Sequence, residues 1–136
     1  MYMNKFSIIY DILLISIILV VIDTGYLYSI KKMFNNQIKL IQGTDIQMNI
    51  YAAILCYMVL VYGLYYFIIK DKRPLIDAFI FGFVVYAVYE LTSMALLKNW
   101  SWKTVAQDTL WGGILFTITT YLVYAIKKLK GSNSFD

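Results

Sequence analysis

Four apolar runs, covering about residues 6–30, 50–69, 74–97 and 104–126, take up most of the chain and leave little else to fold. A run of ~20 apolar residues is the length of helix that crosses a bilayer core. Inside hydrocarbon each backbone N–H and C=O must be satisfied within its own segment, which favours helix over open strand. The pattern predicts an all-α fold, a four-helix transmembrane bundle forming a single domain over residues 1–130, with 131–136 as a disordered tail. Composition agrees, because 61% of the 136 residues are hydrophobic and only 15% are charged, outside the range of soluble domains. The lipid bilayer is therefore the first partner.

The segments between the runs set the details. The first run starts after Lys5 like a signal peptide, but it is too long, carries Asp11 and Asp23 and lacks a small-residue cleavage site, so it reads as a retained helix. In KKMFNNQIKLIQ, from Lys31 to Gln42, Phe34, Ile38 and Ile41 recur at helical spacing. That spacing suits an interfacial amphipathic helix between helices one and two, with an amphiphilic loop as the alternative. Gly43 breaks the chain, and Thr44 with Gln47 has the form of a capping box for helix two. Helix two has no charged residue, and its Cys56 suits a packing role. Pro74 suits the first turn of helix three, and Thr104 with Gln107 repeats the capping pattern at helix four. Lys127, Lys128 and Lys130 before Gly131 make a stop signal.

The net charge of +4 does not point to nucleic acid, because the basic residues lie in the connections and form no stripe along a helix. Four crossings put Lys5, Lys70, Lys72, Arg73, Lys127, Lys128 and Lys130 on one side. Fewer cations, Lys31, Lys32, Lys39, Lys98 and Lys103, fall on the other. The excess predicts a multi-pass protein with both termini cytoplasmic. With no His and a single Cys, the inventory excludes zinc sites, Cys/His nucleophiles, Ser/His/Asp triads and disulfides internal to the chain. No metal site and no cofactor is implied.

Three carboxylates stand inside the apolar runs. At about 1.5 Å per residue, Asp23 and Glu90 lie roughly 10 Å, and Asp108 about 6 Å, from the outer ends of helices one, three and four. All three thus share the outer leaflet. A carboxylate facing lipid costs at least ~2.5 kcal/mol near the bilayer centre, so inward placement is favoured. Tyr86, Glu90 and Ser93 share one face of helix three, and Thr104, Asp108 and Trp111 share one face of helix four. The candidate ligand or proton site is therefore Asp23, Tyr86, Tyr89, Glu90, Thr92, Ser93, Lys98, Asp108 and Trp111, with Lys103 as a further cation within reach. Gly112 and Gly113 allow close helix approach, and Trp100 and Trp102 read as interfacial anchors roofing the pocket. Asp11 and Asp77 lie near the inner surface, where water, Lys5 or Arg73 can solvate them.

The stretch YAVYELTSMALLKNW from Tyr86 to Trp100, followed by DTLWGG from Asp108 to Gly113, resembles the signature of a family of small predicted four-helix membrane proteins, domain of unknown function 2177. The match covers Tyr86, Tyr89, Leu91, Thr92, Leu97, Lys98, Trp100, Asp108, Trp111 and Gly112, with Asp23 and Leu27 in the first helix. Departures are Glu90 for the family's Asp, Ser93 for Asn and Tyr26 for Trp. The resemblance implies a four-helix membrane protein and supplies no activity.

Three functions fit these residues. In the first, the acids bind or transport a proton, a cation or a cationic small ligand. In the second, a membrane-embedded enzyme acts on a lipid, with Glu90 or Asp108 as general acid and Tyr86 or Tyr89 donating to the substrate. No residue is assigned as catalytic on that reading. In the third, the protein serves structure or assembly, as a homo-oligomer whose acids pair across subunits.

Overall fold

The computed structural model describes residues 5–133. Four helices follow one another, and the described residues contain no strand. They are α1 (Lys5–Gln42), α2 (Ile50–Leu64, continued by a π-helical turn at Tyr65–Ile69), α3 (Leu75–Leu96) and α4 (Trp102–Asn133). Each has a stretch long and apolar enough to span a membrane.

The helix boundaries reflect local chemistry. Nothing between Ile30 and Lys31 breaks the ladder, so residues 31–42 continue α1 rather than forming a separate interfacial helix. At 38 residues α1 is roughly 57 Å long, well beyond the ~30 Å hydrocarbon core. It stops where Gly43 turns to φ +82°, a conformation that costs glycine nothing. The cap of α2 is not Thr44 but Asn49, whose side chain accepts from the Ala52 amide at 3.1 Å. The start of α4 is held likewise by Ser101, whose hydroxyl accepts from the Lys103 amide at 3.1 Å, and not by Thr104. Thr104 is instead buried. Pro74 immediately precedes α3, as its missing amide hydrogen favours. At the far end α4 runs through Gly131 to Asn133, so that part of the predicted tail is helical, and residues 134–136 lie outside the described residues.

The tightest seam joins α3 to α4. A Cβ on Gly82 would overlap the Gly112 carbonyl, and one on Gly112 would lie 2.6 Å from the Gly82 carbonyl oxygen. Only hydrogen at both positions lets the backbones touch. Gly113 serves the same seam, since a Cβ there would meet the Phe79 ring at 2.7 Å.

α1 lies antiparallel to α4, pinned by Trp111 to Asp23 in one half and by Lys127 to Asp11 in the other. α2 packs on α1 and reaches α3 through the Phe67 and Phe81 rings, 5.4 Å apart. Its π turn leaves the Ile68 carbonyl facing Tyr124, whose hydroxyl donates to the Arg73 carbonyl at 2.7 Å. The apolar core of Ile15, Leu19, Leu64, Leu115, Phe116 and Val123 fills the half of the bundle nearer the two chain ends. By register along α1 and α4, Asp23 and Trp111 lie one turn beyond that plug, on the side of the α3–α4 turn.

The two acids nearer the chain ends and the α2–α3 turn, Asp11 and Asp77, divide. Asp77 pairs with Arg73 at 2.6 Å on the same face of the chain reversal. Asp11, expected to be solvated at the interface, is instead 2% exposed and paired with Lys127 at 2.9 Å. Once α4 extends past the plug, its lysine can reach back to the acid and exclude water from it. Cys56, expected to pack, is exposed on α2.

Candidate functional site

α1, α3 and α4 enclose a cavity of about 170 Å³ lined by Asp23, Tyr26, Leu27, Ile30, Phe34, Tyr86, Tyr89, Glu90, Asp108 and Trp111. Asp23, Glu90 and Asp108 all line it, one from each helix. So do Tyr86, Tyr89 and Trp111. In size it is close to an engineered cavity of ~150 Å³ that admits benzene.

Each acid is held by an aromatic donor. Asp23 accepts at both oxygens, from the Trp111 indole N–H at 2.9 Å and from the Tyr57 hydroxyl at 2.5 Å. The Tyr26 hydroxyl donates to Asp108 Oδ1 at 2.5 Å, and the Tyr26 ring stacks on Trp111 with centroids 4.3 Å apart. That stack ties the Asp108 support to the Asp23 support across the α1–α4 seam. The Trp100 indole N–H donates to Glu90 Oε1 at 3.0 Å.

Glu90 is completely buried, and its second oxygen, Oε2, has no hydrogen-bond partner among the described residues. The Asp108 carboxyl lies beside it. Two carboxyls in hydrogen-bonding contact satisfy each other only when one of them carries a proton. With both ionised, a buried acceptor would be left without a donor at a cost, so the pair calls for a proton or a positively charged donor from outside the chain. No side-chain cation answers. Lys98 and Lys103 are exposed and not ion-paired with these acids, and the ion pairs among the described residues, Arg73 with Asp77 and Lys127 with Asp11, lie at the other end. Among the described residues no three His, Cys, Asp or Glu side chains are placed to hold a metal ion.

Trp100 departs from the expected anchor role. It is only 5% exposed and points inward to Glu90, whereas Trp102, 66% exposed, faces out. The inward turn comes from Asn99, which takes φ +65°, a left-handed conformation that Asn tolerates better than most residues. The overhanging end of α1 fixes this turn. Gln37 donates through Nε2 to the Asn99 carbonyl, Asn99 donates to the Leu40 carbonyl at 3.4 Å, and Phe34 meets Trp100 edge to face at 6.2 Å. Thr92 is exposed and does not line the cavity, and Ser93 stands beside the Tyr89 hydroxyl at its margin.

Sequence reasoning did not single out Tyr26, Phe34 or Tyr57 as neighbours of the acids. Tyr26 had a usable signal, since it lies three residues after Asp23 and therefore on the same helical face. Tyr57 had none, being one of 13 tyrosines on a helix without charge.

No curated protein and no solved structure matches this chain. A family model described as predicted membrane protein (DUF2177) matches residues 8–125, a span that contains all four helices' membrane-crossing cores and every residue lining the cavity. The chain is thus a multi-pass membrane protein and belongs to the DUF2177 family.

Proposed function

We propose that this protein binds a cation in the cavity between α1, α3 and α4, with a proton taking the place of the ligand when the cavity is otherwise empty. The observation that carries the reading is the contact of the Glu90 and Asp108 carboxyls, with no donor to the buried Glu90 Oε2 from any other described side chain. Removing charge from water is expensive, and three carboxylates in one enclosed space repel one another unless a positive charge joins them. Asp23 is already satisfied at both oxygens, so it serves as electrostatic background while Glu90 and Asp108 make the contact. Access is from the side of the α3–α4 turn, because the apolar plug of Leu19, Leu64, Leu115 and Phe116 closes the other. With both chain ends on the more cationic side, this mouth faces outward from the cytoplasm.

Thermal unfolding of the purified protein across pH and in added cations tests the proposal. The midpoint of the wild type is expected to move with both variables, and Glu90→Gln and Asp108→Asn each to remove most of the movement. An identical response in the wild type and both variants overturns it.

The hydrogen bonds from Trp100, Trp111, Tyr26 and Tyr57 favour a second reading, in which the acids serve only to hold the helices together. Such bonds are worth ~0.6 kcal/mol each on average within membranes. On that reading the neutral variants lower stability equally at every pH and cation concentration.

A further inference from the structure

Resting on the cation-binding reading, we infer that the occupant of the cavity is a compact organic ammonium bearing N–H groups, a monoalkylammonium, rather than a metal ion or a quaternary ammonium. Three features carry this. First, Glu90 and Asp108 both line the cavity and their carboxyls touch, and no other described side chain donates to the buried Glu90 Oε2, so without a shared proton the pair lacks a hydrogen-bond donor as well as a positive charge. An ammonium with three N–H donors supplies both, whereas a fully methylated nitrogen supplies charge alone. Second, a hard metal ion needs about six oxygens, and here both oxygens of Asp23 and one each of Glu90 and Asp108 are already engaged by aromatic donors. Third, the rest of the wall suits a carbon skeleton. Leu27, Ile30 and Phe34 form an apolar strip along α1, and Tyr86 adds a ring with which an ammonium interacts favourably. The volume of about 170 Å³ holds a ligand of several heavy atoms, more than a dehydrated ion fills.

The ammonium head sits between Glu90 and Asp108, and the alkyl part lies along the α1 strip. Trp100 and Trp111, which bond to Glu90 and Asp23, report occupancy through their fluorescence.

The experiment uses the full chain in detergent with Trp102→Phe to remove the exposed indole, titrated at constant pH and ionic strength with n-butylammonium, tetramethylammonium or sodium. A saturable change is expected with butylammonium at a half-saturation on the order of tenfold below that of the other two, as loss of charge-assisted hydrogen bonds implies. Glu90→Gln is expected to weaken it by at least about tenfold. Ile30→Phe, which fills the apolar strip and leaves the carboxyls intact, is expected to abolish the butylammonium response while keeping the response to pH. Equal or tighter response to tetramethylammonium overturns recognition through N–H groups and leaves the cation reading standing. A response to pH or sodium with none to butylammonium overturns the ligand class but again not the broader reading. Silence to pH and to every cation overturns both.

Discussion

Trp100 and Trp102 are two residues apart, and the structure gives them opposite tasks. The indole of Trp100 bonds to a buried carboxyl, while that of Trp102 faces outward at 66% exposure. Trp100→Phe keeps an aromatic ring and removes the N–H, leaving Glu90 Oε1 without its donor. Its cost is expected at about 1–3 kcal/mol, the desolvation penalty of an orphaned buried acceptor. Trp102→Phe is expected to stay within about 0.5 kcal/mol, as exposed substitutions do. Chemical unfolding of the two variants side by side checks the contrast. Sequence could not separate these residues, because interfacial propensity is the same for both and the distinction depends on the backbone at Asn99. The acids were different. Asp23, Glu90 and Asp108 could be picked out from sequence since the expense of charge in hydrocarbon forces them inward, and helical rise alone puts them at one height.

Among the elements, the α3–α4 seam is the least tolerant. At Gly112 a methyl group would enter the Tyr86 ring as well as the Gly82 backbone, and neither can move without opening the cavity wall. Gly112→Ala is therefore expected to destabilise by about 1–3 kcal/mol through overpacking. Gly25 of α1 has nothing within 4 Å of an added Cβ, and Gly25→Ala is expected to stabilise by about 0.5–1 kcal/mol from helix propensity alone. Thermal melts in one detergent distinguish these signs. The helices themselves were legible from apolar run length. The continuity of α1 was not, because KKMFNNQIKLIQ has helical spacing whether it lies flat in the interface or stands up. Contacts 59 and 62 residues away along the chain, from Asn99 to Leu40 and from Gln37 to Asn99, decide that it stands and closes over the α3–α4 turn. The capping patterns at Thr44 and Thr104 failed for a related reason. Asn49 and Ser101 lay nearer the true helix starts and offered competing acceptors.

At the scale of the whole molecule, polar chemistry is sorted into two layers with an apolar plug between them. In the layer nearer the chain ends each acid has its cation, Asp11 with Lys127 and Asp77 with Arg73, and the three acids around the cavity have none. We propose that the layer of paired acids faces the cytoplasm, following the excess of Lys and Arg at the chain ends and the α2–α3 connection. In a Cys56→Ser background, Thr44→Cys is expected to react in intact cells with a membrane-impermeant maleimide, and Lys130→Cys only after lysis. The reverse pattern inverts the topology. The absence of a side-chain cation beside the three cavity acids is what the proposed cation binding rests on, and infrared difference spectroscopy reads it without intermediaries. Changing pH, or adding a small cation at constant pH, is expected to alter carboxyl and carboxylate bands that vanish in both Glu90→Gln and Asp108→Asn. Bands that stay fixed under every condition, or that change identically in the wild type and both variants, would show that no proton or cation enters between the two acids.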